Sequence, residues 1–213
     1  PAYPYARQHK KKGREGLKIY EAFRGQFDWE NIVELPFNDD EYSCMHPSLS
    51  ADETKLFFSS NMPGGYGGMD LYFVEKFKDK WSKPINLGPD INTSRNEVFP
   101  FIHESGSLFF ASDGHDGLGG LDIFMINVLG RRWGKVINLG RPFNSEKDDL
   151  GLILDIRGTQ GYLTSNREGG KGSDDIYIFN VPSGFRGMEA PKSFQTTVAA
   201  FDGQMSKRLP GTS

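Results

Sequence analysis

A single cysteine, Cys44, stands among 213 residues, which excludes an internal disulfide framework and any cysteine-rich zinc site. No apolar run approaches the roughly 18–20 residues that a membrane helix needs. Charge of one sign is not in excess either: 25 Lys+Arg face 28 Asp+Glu, for a formal net charge of −3. A nucleic-acid binder would carry a basic surplus or a basic stripe, so that class is set aside. The small cluster Lys10–Arg14 reads as a solvated turn tip, with contact to an acidic partner or lipid head groups as the alternative. Of four histidines, no two fall at a metal-ligand spacing; His46, His103 and His115 read as surface or packing residues. There is no Gly-x-Ser-x-Gly elbow and no phosphate loop, and no histidine is singled out as a partner for Cys44. Nucleophilic catalysis has no support.

Glycine is what the chain has in plenty: 26 residues, or 12%, against a usual share of roughly 7%. The glycines sit in a repeat. Leu56–Tyr72, Leu108–Phe124 and Gly161–Tyr177 align, each a short apolar run, a glycine-rich stretch and a closing Asp-Leu/Ile-aromatic. Their closing aspartates, Asp70, Asp122 and Asp175, lie 52 and 53 residues apart. Trp29, Trp81 and Trp133 keep the 52-residue interval, and Ile85–Gly88 recurs as Ile137–Gly140.

Each unit reads as four short strands: one after Pro47 or around Phe99–Ile102, one at Leu56–Ser59 or Leu108–Ser112, one from each closing aspartate, and one from each tryptophan to Asn-Leu-Gly. Four antiparallel strands recurring every 40–50 residues or so predict an all-β propeller of four-stranded blades. A β-sandwich would not repeat its turn chemistry at a fixed interval. The repeat opens part-way through a unit, with Pro1–Gln8 as the tail of a strand and His9–Gly16 as a degenerate hairpin. The chain is therefore expected to be a fragment of a five- or six-bladed ring: blades over 1–181, a linker over 182–195, and the first edge of a β-sandwich over 196–213.

The hairpins pair a side-chain oxygen at each end, Asn61 with Asp70, Asp113 with Asp122 and Asn166 with Asp175. Hard cations want several oxygens and glycine turns can add carbonyls, so calcium is the sharper reading. The structural reading expects no metal: glycines supply positive φ, and each aspartate accepts hydrogen bonds from turn amides. The three tryptophans read as packing between adjacent sheets in equivalent, mostly buried places; a carbohydrate-stacking row is the alternative.

The signature Phe-x-Ser…Gly-Gly-x-Asp-Ile/Leu-Tyr, followed by Trp…Asn-Leu-Gly, resembles the WD-repeat-like (TolB-type) propeller repeat of OmpA-family envelope proteins. In that family a carboxypeptidase-regulatory-like sandwich often follows the propeller, and Thr196–Ser213 with Leu209-Pro-Gly211 is similar to its opening. The resemblance implies a periplasmic, outer-membrane-associated scaffold with no cofactor and no catalysis. Its partners would be envelope proteins of a type IX secretion or cell-wall-anchoring complex, with peptidoglycan reached only through a domain outside this chain. Two departures stand out: Lys18 replaces the first aspartate, and the last hairpin has Ser173-Asp174 where the others have Gly-Gly or Gly-Leu. The alternatives are a glycan-binding lectin, hinted at by the hairpin oxygens and Tyr66, and a propeller glycan lyase or hydrolase. The latter would need convergent acidic, histidine or arginine residues at the innermost strands.

Overall fold

The computed structural model describes residues 16–129, 132–182, 184–185 and 198–200, and these contain strands but no helix. The strands form four antiparallel sheets, taken here in chain order as I to IV. Sheet I is the pair β1 (Tyr20–Arg24) and β2 (Trp29–Glu34). Sheet II is a meander of β3 (Cys44–Leu49), β4 (Lys55–Ser60) and β5 (Asp70–Phe77), edged by β6 (Lys80–Trp81) and β7 (Ile85–Asn86). Sheet III repeats it with β8 (Glu97–Ile102), β9 (Ser107–Ser112), β10 (Asp122–Leu129), β11 (Arg132–Trp133) and β12 (Ile137–Asn138). Sheet IV holds β13 (Asp149–Leu154), β14 (Gln160–Ser165), β15 (Asp175–Asn180) and β16 (Val198–Ala200).

Alternation along the strands sends apolar side chains to both faces, and the sheets stack through them. On sheet II, Leu56, Phe58, Tyr72 and Val74 meet Ile19, Leu35 and Phe37 beside sheet I. Its other face, with Phe57 and Leu71, meets Leu108, Phe110, Phe124 and Ile126 of sheet III. Phe109, Ile123 and Met125 of sheet III then meet Leu163, Tyr177 and Phe179 of sheet IV. Three clusters between sheets replace a single central core.

The strand expected from tryptophan to Asn-Leu-Gly is split in sheets II and III. Pro84 has no N–H to give the ladder, and Ser82 bridges the gap: its N–H donates to the Glu75 carbonyl at 2.8 Å and its Oγ accepts the Glu75 N–H at 3.0 Å. Sheet III is split too although Val136 stands at the place of Pro84, while in sheet I, with Ile32 there, β2 runs unbroken for six residues.

Every first strand also carries a bulge. His46, Phe99 and Gly151 take φ of 54°, 53° and 63°, beside register breaks between Met45 and Ser48, Val98 and Phe101, and Leu150 and Ile153. Only glycine adopts such a φ without strain, so packing holds the two aromatic residues there. The His46 and Phe99 rings stack at 3.7 Å between centroids. Phe99 N–H donates to His46 Nδ1 at 3.4 Å, and Ile102 N–H to Ser48 Oγ at 3.0 Å, tying the first strands of sheets II and III. Burial holds the His46 pKa below its usual value.

The strand and hairpin expected over Pro1–Gly16 and the basic cluster Lys10–Arg14 fall, up to residue 15, outside the described residues, as do most of 182–195 and 196–213. Within 196–213 only Val198–Ala200 is described. These residues pair with β15 through Tyr177–Ala200, Ile178–Ala199 and Phe179–Val198. The outer edge of β15 lacks the split strand that sheets II and III possess, and β16 fills that edge.

Candidate functional site

The repeated hairpins gather the polar side chains that the sequence singles out, in two separate jobs. The aspartates close the turns. Asp70 accepts Tyr66 N–H on Oδ2 at 2.7 Å and Gly67 N–H on Oδ1 at 3.0 Å, and Asn86 Nδ2 adds a third bond to Oδ2 at 2.8 Å. Asp122 Oδ2 accepts Leu118 and Gly119 N–H at 2.9 and 3.0 Å. Asp175 Oδ2 accepts Lys171 and Gly172 N–H at 2.7 and 3.1 Å.

The other three oxygens do something else. Asn61 Oδ1 accepts Ser43 N–H at 2.7 Å, Asp113 Oδ1 accepts Asn96 N–H at 2.8 Å, and Asn166 Oδ1 accepts Asp148 N–H at 2.8 Å. They fasten the end of each second strand to the residue before each first strand. The two ends of a hairpin thus serve different backbone segments rather than one shared centre. Among the described residues, no group of three or more His, Cys, Asp or Glu side chains is placed to hold a metal ion.

The glycines act by closeness more than by φ. Of the hairpin glycines only Gly64 and Gly169 have positive φ, at 91° and 89°. A Cβ on Gly67 would lie 2.4 Å from the Arg95 carbonyl oxygen, and one on Gly119 2.1 Å from that of Lys147. Those oxygens belong to the strap entering the next sheet, which lies directly on the hairpin. At Gly172, the matching position in sheet IV, nothing comes nearer than 3.7 Å among the described residues. Sheet IV is where the glycine pair gives way to Gly172-Ser173.

Burial separates the aspartates. Asp122 Oδ1 is buried without a partner, because the Asn138 amide, the counterpart of Asn86, donates to the Asp116 carbonyl at 2.8 Å instead. Desolvation pushes the Asp122 pKa up, opposed by the Gly119 and Leu118 amides and aided by the charges of Asp149 and Asp148.

Three functional asparagines were missed by the reading of the sequence. Asn38, Asn92 and Asn144 each pair with one backbone residue through both amide atoms. Asn92 Oδ1 accepts Leu71 N–H at 2.8 Å while its Nδ2 donates to the Leu71 carbonyl at 3.0 Å. Asn144 does the same to Ile123 at 2.7 and 3.0 Å, and Asn38 to Ile19 at 3.0 and 2.7 Å. For Asn92 and Asn144 the signal was present, since each stands six residues after the asparagine of an Asn-Leu-Gly; Asn38 follows no such motif. Buried Glu97 and Asp149 were missed as well. Glu97 takes the Thr93 N–H and hydroxyl and the Ser112 hydroxyl, at 2.7–2.8 Å. Asp149 takes the Ser145 N–H and hydroxyl and an ion pair with Arg167 at 2.5 Å.

The tryptophans are not equivalent. Trp133 sits edge-on to Phe57 and Phe73 of the preceding sheet, at 6.1 and 5.6 Å between centroids, and is half-buried. Trp81 is half-buried against the sheet I–II cluster, with Lys76 Nζ 5.2 Å above its ring. Trp29 is 57% exposed, since no described sheet precedes sheet I. It lines a shallow cavity of about 280 Å³ with Arg24, Gly25, Gln26, Phe27 and Asp28. His103 Nε2 and the Asp155 carbonyl are 2.9 Å apart, and His115 Nε2 and the Ile91 carbonyl 2.8 Å apart, so both histidines tie loops.

At the hairpin tips the clamped amides belong to Tyr66, Leu118 and Lys171, and all three side chains are exposed. The result is one fixed register of outward side chains, presented by three neighbouring sheets.

No family model matches the chain, and no curated protein matches it. Among solved structures it is similar to TolB from Acinetobacter baumannii, with a TM-score of 0.46 and 16% identity over 65% of this chain and 30% of that one. It is also similar to a TolB-type protein from Agrobacterium tumefaciens, with a TM-score of 0.41 and 9% identity over 81% of this chain and 77% of that one. The chain therefore spans less than a third of the length of the first.

Proposed function

We propose that the four sheets are neighbouring blades of a β-propeller, part of a five- or six-bladed ring, and that this arc is a non-catalytic protein-interaction scaffold of the periplasm. The observation that carries the reading is the row of hairpin tips. Buried or half-buried carboxylates hold each turn through two backbone bonds, and Tyr66, Leu118 and Lys171 project from the same register. A rigid turn loses little freedom on binding, so its side chains can serve as anchors. The bonds between the first strands of sheets II and III support a radial arrangement with those strands innermost.

The finer assignment rests on the sequence resemblance. The repeat and the segment from Thr196 are similar to PorE, a periplasmic lipoprotein of the type IX secretion system. On that basis the partners are envelope proteins of a secretion or wall-anchoring complex at the outer membrane, and no substrate is turned over. Peptidoglycan would be reached by a domain outside this chain.

Immobilised chain offered to a native envelope extract tests the reading. Specific envelope proteins are expected to be retained and to be lost with the Tyr66→Ser/Leu118→Ser double variant, whose melting should match wild type. Saturable binding of a defined sugar, abolished by changing Tyr66 or Asp113, would replace the scaffold with the lectin.

A further inference from the structure

The antiparallel order of the strands puts two kinds of turn at opposite ends of each sheet. Glycine hairpins and straps lie at one end. The turns joining first to second strand, and third to fourth, share the other: on sheet II the Lys76 N–H donates to the Thr54 carbonyl at 2.7 Å. Successive sheets keep that sense. His46 and Ser48 meet Phe99 and Ile102 in the same order, and His103 Nε2 lies 2.9 Å from the Asp155 carbonyl of the next turn. The strap after β2 ends on the sheet II glycine hairpin, where Ser43 N–H reaches Asn61, so the β1–β2 hairpin lies at the far end too.

The three most exposed large apolar side chains among the described residues all stand at this second end: Phe27 at 93%, Phe77 at 73% and Ile156 at 68%. Their exposure belongs to the turn register. Phe77 is on sheet II, which has a sheet on either side. Asp79 holds the place of Phe27 in sheet II and Glu104 that of Ile156 in sheet III, and both are exposed between neighbouring sheets. Cations gather beside Phe77. Lys76–Lys83 carries four lysines against Asp79 alone, and Arg132–Lys135 has two cations and no acid. Lys78, Lys80 and Lys83, with Arg132 and Lys135 at the places of the last two, are exposed, and among the described residues none of them is in an ion pair. The hairpin fixes the arrangement: Phe77 faces Lys80 across the ladder, and Lys78 Nζ lies 5.4 Å from the Phe77 ring. Asp28, Asp52 and Asp155 at this end are turned in on their own turns, where they accept local N–H and hydroxyl donors.

We propose that this end of the sheets docks onto an anionic phospholipid surface, with Phe77 and Phe27 entering the head-group layer and the cations beside Phe77 meeting lipid phosphates. An aromatic ring settles at a membrane–water interface, and lysines and arginines near it add attraction to anionic lipids. Either alone holds a protein weakly, and the two together hold it well. A fluid layer also fits the shape. A protein interface needs a continuous packed patch of roughly 800 Å² from each side, whereas these rings stand singly on turn tips, and lipid closes around each one. The inference does not rest on the protein-partner reading, since Tyr66 and Leu118 belong to the opposite end.

Co-sedimentation of the 213-residue chain with vesicles tests it, using phosphatidylcholine alone and phosphatidylcholine with phosphatidylglycerol in equal parts. Wild type is expected to bind the mixed vesicles and not the neutral ones, and about 1 M salt should release it. Lys78→Glu/Lys80→Glu should weaken binding at least about tenfold, and Phe77→Ser at least about threefold. All three positions are exposed, so circular dichroism and melting should stay those of wild type. Tyr66→Ser/Leu118→Ser should bind vesicles as wild type does, which keeps this test separate from that of the protein partner. A wild type that leaves the mixed vesicles unbound overturns the proposal. So does binding undiminished in the Lys78/Lys80 or Phe77 variants, or binding lost instead on charge reversal of Lys10–Arg14. An acidic protein held through Lys78 and Lys80 by a chain that ignores vesicles would replace the bilayer.

Discussion

Asp70 and Asp122 hold matching places in two sheets and are bonded differently, which separates the effects of charge and shape at one site. Asp70 uses both oxygens, taking three donors in all. An amide at that place must turn its NH2 toward one of them, whichever way it flips. Asp122 uses Oδ2 alone, and its Oδ1 is buried and unpartnered. Asp70→Asn is therefore expected to cost about 1–3 kcal/mol, and Asp122→Asn clearly less, measured by urea unfolding at neutral pH. The pH dependence follows from the raised pKa of Asp122, whose first cause is burial. A raised folded pKa means the folded state holds this proton more tightly than the unfolded chain. The contribution is present below the unfolded carboxylate pKa and lost as pH rises through the raised value. The stability of Asp122→Asn relative to wild type should therefore improve as pH rises from the ordinary carboxylate pKa of about 4 through the raised value. A difference that stays flat over that window would refute the assignment. Asn144 offers the neutral comparison. Asn144→Ala strands the Ile123 N–H in a buried site, while the Ile123 carbonyl keeps the Leu139 N–H, for an expected loss of about 1–3 kcal/mol in the same unfolding measurement.

At the scale of the hairpin, glycine is demanded by the neighbour. Gly119 lies under the strap that carries Lys147, and a methyl group there would overlap a backbone oxygen that cannot swing aside. Gly172 has no such roof among the described residues. Gly119→Ala is expected to destabilise by about 1–3 kcal/mol, and Gly172→Ala to leave stability unchanged or raise it by up to about 1 kcal/mol. Thermal melts of the two variants check the contrast, and equal losses would contradict it. The same close approach explains why Tyr66 and Leu118 are held out to solvent: hairpin and strap leave no room beneath them for anything larger than hydrogen.

Over the whole molecule, stability is spread across the three clusters between sheets, so a ring counts for as much as the neighbouring sheet covers. Trp133 has Phe57 and Phe73 around it, while Trp29 has solvent. In monomeric conditions Trp133→Ala should lower stability by about 2–4 kcal/mol, at the low side of a core tryptophan because the ring is half-buried. Trp29→Ala should cost under about 0.5 kcal/mol, as surface changes do. Chemical denaturation at low protein concentration distinguishes them, and similar losses would mean that Trp29 is covered in solution.

The 52-residue interval by itself determined the number of units described, their order, the strands built from Leu56, Leu108 and the three aspartates, and the turns those aspartates close. These are local: an apolar alternation, a glycine turn and a short carboxylate act within about ten residues of chain. The inward placement of most strand residues was legible for the same reason, since a strand flanked by two sheets is apolar on both faces. What lay outside that range was decided by tertiary structure. The sequence could not separate Asn61 from Asp70, because their partners, Ser43 and the Tyr66–Gly67 amides, lie on different segments that only folding brings near. Nor could it tell Trp29 from Trp81 and Trp133 in burial, since all three keep the 52-residue interval and what sets burial is the sheet beside each. The asparagine pairs with Ile19, Leu71 and Ile123 span about 20 residues and need the ladder in place first. Burial, exposure and partner choice belong to the packed stack, because they depend on which surface arrives, and no residue carries that information alone.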